Sequence, residues 1–471
     1  MSESRSWWSG PPPVDASPSN TPTFESQPLH SDALDEIEEE KLLTRRVHVI
    51  GLGSIGTLVA HSLKCLPNPP PVTLMLHRPD MYEQFKKSGR IIRLINKQSD
   101  VNDEQTGYDL DVLQADGYWD YEADAPLGFP ANPRQLDESL PTGETFISTL
   151  VAAVKSTATV TAMRSIKHRV DSRSTICFMQ NGLGQIDELN REVFTDPETR
   201  PTYMLGVISH GCHMRGHFTV MHAGFGTVAL GIHRDPDRYP LPRQSSMPDL
   251  DQLSLEEKRM YFPTDKDLFS NLSSRYLLRT LTRSPVLACA AFPYLDLLQL
   301  QLEKLSANAI INPLTALLNV PNGALLHNGN LSVVHRLLLA EISLVIRSLP
   351  ELKGIPNVRN RFSATRLEHL LLGITARTAQ NSSSMREDAR YAQPTEIDYI
   401  NGYIVRRGEE QGIKCALNYM LMQLIKAKTL TQLNAATLAV PYGTVRVEAR
   451  ESSAGVVTLD DHSIPARGDV Q

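Results

Sequence analysis

Paired cysteines, an excess of positive charge and long apolar runs are all missing from this chain of 471 residues. The five cysteines, Cys65, Cys177, Cys212, Cys289 and Cys415, are odd in number and scattered, with no C-x-x-C pair. That distribution argues against a disulfide framework or a thiolate metal site and for a reducing compartment. Lys and Arg number 47 against 53 Asp and Glu, a formal net charge of -6, so the basic footprint of a nucleic-acid or anionic-membrane binder is lacking. No run approaches the roughly 18 apolar residues of a spanning helix, and no charged segment precedes an apolar one at the start. The chain reads as a soluble, unsecreted protein whose partners are small molecules or proteins. A cytoplasmic location is expected, with the mitochondrion as the alternative, and a homodimer is the assembly to test for.

What is present is ordinary globular material, 41% hydrophobic and 21% charged, enough for two or three domains. Residues 1 to 45 stand apart. "WWSGPPPVDASPSNTPTFESQP" is rich in Pro and Ser, and "DALDEIEEEK" is densely acidic. With little contiguous apolar surface to offset ordering entropy, this segment is expected to be a disordered arm. It is too acidic and too poor in Arg for an ordinary mitochondrial presequence.

From residue 46 the texture alternates. "RRVHVIGLGSIGTLVAHSL" reads as strand, glycine turn and helix; "PPPVTLMLHRP" gives a second strand; "GETFISTLVAAVKSTATVTAMRSI" and "STICFMQNGLGQIDEL" repeat the pattern. Such alternation predicts an open, mainly parallel sheet covered by helices. Residues 202 to 233 are β-branched and punctuated by Gly, as hairpins are, and the polar, Pro-rich 234 to 267 reads as a surface insertion. Beyond about residue 290 nearly every segment has helical period. The expected architecture is α/β plus all-α: a Rossmann-type doubly wound domain over 46–292, a helical domain over 293–430, and a tail over 431–471.

Two motifs carry chemistry. In "GLGSIG", Gly51, Gly53 and Gly56 have the spacing G-x-G-x-x-G, and with Ser54 and Ile55 between them they are the expected cofactor-binding residues of the turn. After a strand and before a helix, that spacing predicts a dinucleotide site, with one glycine for the turn, one for approach of a pyrophosphate and one for helix–strand packing. The second strand ends at His77 and Arg78, where an NAD-preferring protein would usually place a carboxylate; a guanidinium suits a 2′-phosphate, hence NADPH/NADP+. The histidines His210, His213, His217 and His222 lie on hairpin strands that scatter them over both faces, so no metal is expected there.

The second motif is "EKLSANAIINPLTALLNVPNG". Lys304, Asn308 and Asn312 recur every fourth residue in an otherwise apolar helix, which places them on one narrow stripe. Each unpaired polar group would cost roughly 1 to 3 kcal/mol if buried, so three in register predict a helix face that lines a cleft. Pro313 adds a lost helical hydrogen bond to the same segment. Downstream, "NSSSMREDARYAQPTEIDYINGY" offers Ser382, Ser383 and Ser384, then Glu396 and Asp398 at a helix start, where capping is the plain alternative.

Together "GLGSIG", "KLSANAIINPLTALLNVPNG" and "SSMREDARYAQPTEIDYING" resemble the ketopantoate reductase (2-dehydropantoate 2-reductase) family over most of residues 46 to 428. The resemblance implies reduction of 2-dehydropantoate to pantoate by NADPH, a step of pantothenate and coenzyme A biosynthesis. It implies Lys304 and Glu396 as the catalytic residues. Asn308, Asn312, Asn322, Ser384 and Asn181 would bind substrate, with Asn181 near the nicotinamide as well. Lys155 in "VAAVKS" and Arg78 would serve the cofactor. Two other readings stand beside it: a reductase of another 2-oxo acid on the same plan, and a non-enzymatic relative, which loss of the Lys or Glu would mark. The arm, the insertion and the tail are departures from the family's compact members.

Overall fold

The computed structural model describes residues 45–96, 102–124, 146–238 and 271–438. Nearly all of the expected arm, most of the expected insertion and the last part of the tail lie outside these. Four short strands that the glycine-turn pattern announced form the middle of a sheet: β1 (Val47–Ile50), β2 (Val72–Leu76), β7 (Thr149–Ala152) and β8 (Thr175–Phe178), every residue of them buried. Strands covered on both faces are mostly apolar, which is why they lack alternation. They join β5 (Tyr108–Leu113), β6 (Trp119–Glu122), β9 (Thr202–Ile208), β12 (Val228–Ile232) and β13 (Cys289–Ala291) in a nine-stranded sheet of order β13-β12-β9-β8-β7-β1-β2-β5-β6.

The pairs β9-β8-β7-β1-β2-β5 are parallel, and β6 and β12 run the other way. From β1 the chain winds out through β2 to β6, then returns to β7 and winds out on the opposite side. The switch point between β1 and β7 is where an open α/β sheet binds its ligand, beyond the strands' carboxyl ends. Helices α1 (Ser54–Lys64), α2 (Pro79–Lys87), α3 (Thr159–Arg164), α4 (Gln185–Glu192) and α5 (Leu272–Thr282) cover the two faces. Leu58, Leu63, Phe85 and Leu281 belong to the core on one face, and Met163, Ile186 and Leu189 to the core on the other.

A second, four-stranded sheet was not expected. It has the order β10-β11-β3-β4 and combines the hairpin β10 (Gly211–Gly216) and β11 (Thr219–Gly224) with β3 (Ile92–Asn96) and β4 (Asn102–Gln105). The β3–β11 pairing joins segments far apart in the chain, which local sequence pattern does not encode. Within it His210 and His222 share a hydrogen bond of 3.0 Å, and His210 also contacts the Leu287 carbonyl at 2.9 Å.

The helical domain comprises α6 (Tyr294–Leu318), α7 (Gly329–Arg347), α8 (Val358–Arg361), α9 (Ala364–Arg377), α10 (Ser384–Arg390), α11 (Ile397–Glu410) and α12 (Ala416–Leu438). Leu305, Ile310, Leu339, Ile342, Leu371, Ile400 and Ile425 share its core. One expectation needs correction. Helix α12 continues to Leu438, past the boundary expected at residue 430, because "LTQLNAATL" keeps good helix formers. Helix α7 is long and apolar enough by composition to cross a membrane, with a mean hydropathy of 1.4, although Leu338, Leu339, Ile342, Val345 and Ile346 are spent on the helical core.

Pro313 sits inside α6 without an N–H to give to the Ala309 carbonyl four residues back. Asn401 of α11, fully buried, donates its Nδ2 to that carbonyl at 2.9 Å and also to Asn418 Oδ1 at 3.0 Å. The proline's cost is thus met by a side chain from a packed neighbour, and the helix runs through.

Candidate active site

Each glycine of the first turn has different surroundings. Gly51 has φ +90°, and a Cβ there would lie 2.5 Å from the Val154 amide nitrogen, in the loop after β7. A Cβ on Gly56 would lie 2.1 Å from the Gly51 carbonyl oxygen, while around Gly53 nothing lies within 4 Å. Two positions are closed by packing, and the middle one opens to space at the start of α1. Gly53 is the N-cap of α1, and no side chain caps the helix, so its first amides remain for a ligand. This cradle fits the pyrophosphate of a dinucleotide. Arg78, just after β2 and capping the start of α2, is exposed and lies 3.7 Å from Asp80.

Along α6 two of the three expected stripe residues, Lys304 and Asn308, face a cleft, and Asn312 does not line it. Between Leu302 and Ala316 every residue is buried except Lys304 and Asn308. They line a small cleft together with Gln301, Gln180, Asn181 and Gly206. Asn312 continues the stripe one turn further on but is buried. The neighbouring Glu303 faces away, bound by Arg361 at 3.0 Å and Arg366 at 3.2 Å. One side of the helix holds the domain together and the other walls the cleft.

Lys304 donates to the carbonyl of Ile208, the last residue of β9, at 2.6 Å. Among the described residues its ammonium forms no direct ion pair. Burial pushes its pKa down to about 8, partly countered by the negative charge of Glu396. A lysine so placed titrates near neutrality, which suits a proton donor. If its protonated form is required, kcat/KM will fall by about tenfold per pH unit above about 8. A rate independent of pH from 7 to 10 would remove the lysine from the proton transfer.

Glu396 comes from the N-cap of α11 and is buried. Its Oε1 accepts from the Ser156 amide at 3.0 Å and the Ser156 hydroxyl at 3.1 Å, and its Oε2 from Asn181 Nδ2 at 3.4 Å. Ser156 in turn donates to the Asn181 carbonyl at 2.6 Å. Lys304 is therefore oriented by a β9 carbonyl, and Glu396 by the loops after β7 and β8. Sequence reasoning missed Ser156, whose only signal is its position directly after Lys155.

Three other expected residues are placed differently. Lys155 is next to Val154, which packs on Gly51, yet its ammonium donates to Asp388 Oδ1 at 2.8 Å and to the Pro394 carbonyl at 3.3 Å, tying the two domains. Ser384 is exposed at the start of α10; the buried capping serine is Ser383, which bonds Thr315 at 2.7 Å. Asn322 is buried in a short 3-10 turn, donating to Thr378 at 3.0 Å. Neither Ser384 nor Asn322 lines the cleft that holds Lys304.

A parallel sheet with a glycine cradle at its switch point, facing a helical domain that supplies a lysine, a glutamate and carboxamides, defines a two-domain NAD(P)-dependent oxidoreductase. The chain belongs to the ketopantoate reductase family: residues 47–235 match the family model described as ketopantoate reductase PanE/ApbA, and residues 296–429 match its C-terminal domain. It is 25% identical over 395 residues to a probable 2-dehydropantoate 2-reductase of Schizosaccharomyces pombe, covering 82% of this chain and 97% of that protein. A ketoisovalerate reductase of Gibberella fujikuroi is also 25% identical, over 77% of this chain and 78% of its own. Among solved structures, a ketopantoate reductase from Ralstonia eutropha has a TM-score of 0.55 at 18% identity, with 82% of this chain and 99% of that one covered. The fold is shared with a D-mandelate dehydrogenase crystallised with NADH, at TM-score 0.54 and 16% identity over 82% of this chain and 99% of that one.

Proposed function

We propose that this protein reduces 2-dehydropantoate to pantoate with NADPH. The observation that carries the reading is the arrangement of Lys304 and Asn308 in one cleft with Asn181, at the carboxyl end of the sheet that bears the glycine cradle. Gly51, Gly53, Ser54, Ile55 and Gly56 would hold the dinucleotide, with Arg78 against the 2′-phosphate and Lys155 nearby. When bound, the reduced nicotinamide supplies a hydride to the C2 carbonyl carbon. Lys304 donates a proton to the ketone oxygen and stabilises the negative charge that develops on it. Glu396, fixed by Ser156 and Asn181, accepts a hydrogen bond from the substrate hydroxyl. Asn308 and Asn181 orient the oxo acid, and closure of the cleft keeps water from it.

The test is the loss of reduced-nicotinamide absorbance when purified protein meets NADPH and 2-dehydropantoate. No turnover would sink the reading. Replacing Arg78 by Ala should raise KM for NADPH about tenfold and leave NADH nearly unchanged; equal weakening of both would remove its phosphate-binding role. The relative named ketoisovalerate reductase favours one second reading, a branched 2-oxo acid lacking the substrate hydroxyl. A panel of both acids separates them: Glu396 has a partner only on the hydroxylated substrate, so Glu396→Gln should lower kcat/KM for 2-dehydropantoate far more than for the acid that lacks its hydroxymethyl group.

A further inference from the structure

We propose that His61, Cys65 and Asp103 form a binding site for a thiophilic divalent cation such as zinc. His61 of α1 and Cys65, the residue that caps its C-terminus, stand one turn apart at the end opposite the glycine turn. Asp103 reaches them from β4 of the small sheet. Its Oδ2 lies 3.6 Å from His61 Nε2 and 3.6 Å from Cys65 Sγ, and Cys65 Sγ lies 3.5 Å from His61 Nδ1. One donor atom from each residue falls within 4.8 Å of the other two.

Zinc bonds of about 2.0–2.3 Å in tetrahedral array need donor atoms about 3.3–3.8 Å apart. Asp103 Oδ2 meets that range to both His61 Nε2 and Cys65 Sγ, but the 3.5 Å contact of the thiol is to the other ring nitrogen, Nδ1; for one ion to meet all three, the thiol must turn toward Nε2 and Nε2 must release the Asp103 carbonyl it contacts at 3.1 Å. The carboxylate is already oriented, because Gln105 Nε2 donates to Asp103 Oδ1 at 3.1 Å and leaves Oδ2 facing the other two groups. The imidazole is fully buried and the Asp103 side chain is 50% exposed, so the fourth position faces water. Binding forms bonds from the metal to sulfur, nitrogen and oxygen and releases the thiol proton to solvent; nothing is oxidised or reduced. The spacing of cysteines argued against a thiolate site only because it looked for paired cysteines, whereas this donor set uses one Cys with His at i−4 and a strand residue. A bound ion would pin β4 to α1 and stabilise the folded chain by mass action.

The experiment uses the full chain, stripped with a chelator and titrated with Co2+ alone, then with Zn2+ in competition. The expected result is one equivalent of Co2+ giving a near-ultraviolet thiolate-to-metal band with tetrahedral visible bands, displaced by Zn2+. Cys65→Ser should abolish the thiolate band. The exposed Asp103→Ala, which leaves the core intact, should weaken binding about tenfold or more and remove the rise in melting temperature that Zn2+ gives the wild type. Absence of a thiolate band in the wild type overturns the proposal, as does a band that survives in Cys65→Ser, since it would then arise from another cysteine.

Discussion

Lys304→Ala should lower kcat for 2-dehydropantoate by about 10²- to 10⁴-fold, the span that a positioned general acid supplies, while dinucleotide binding stays close to wild type. The reason lies in where the lysine is held. Its ammonium is already engaged by the Ile208 carbonyl at 2.6 Å and faces the cleft beside Asn308, so it needs no search to meet a ketone oxygen. The cradle at Gly51 to Gly56 is built from other residues and should not sense the change. Lys304→Met, which keeps the aliphatic stem without the charge, should match the alanine variant. Turnover within a factor of three of wild type in either would remove Lys304 from the chemistry.

Gly56→Ala should weaken dinucleotide binding, read by the fluorescence of the reduced nicotinamide. A Cβ there would overlap the Gly51 carbonyl oxygen at 2.1 Å, with the Ala153 side chain at 3.3 Å on the other side. Backbone must move, at a cost of about 1–3 kcal/mol, or about 10- to 100-fold in affinity, and stability should fall with it. Gly53→Ala is the matched comparison, because nothing lies within 4 Å of its Cβ. That variant should melt with the wild type and still bind dinucleotide poorly, since only an approaching ligand meets the methyl group. Wild-type affinity in Gly53→Ala would mean that the pyrophosphate lies elsewhere.

The two motifs were legible because each rests on local geometry. "GLGSIG" lies between a buried strand and a helix, and its three glycines meet three different surroundings that spacing alone could anticipate. The stripe of Lys304 and Asn308 follows from helical period, and these are the positions left only partly buried in the middle of α6. What was not legible depends on partners far along the chain. Asn401 supports the helix at Pro313 from 92 residues beyond Ala309, and Ser156 fixes Glu396 across 240 residues. Ser384 and Asn322 fell on segments interrupted by prolines or chain turns, where phase cannot be carried forward, and the structure gives them neighbours away from the lysine.

Glu396 and Asp388, both from the helical domain, are held by Ser156 and Lys155 on the loop that follows β7, and the Leu183 amide donates to the Tyr399 carbonyl at 2.8 Å close by. The groups that would meet substrate are thus also the rivets between domains. Separating the domains dismantles the site, so the cleft has no loose yet competent state. Partial unfolding by denaturant should therefore extinguish activity at the same midpoint as the separation of the two cores, and breathing of the interface would be visible as intermittent inactivity of single molecules.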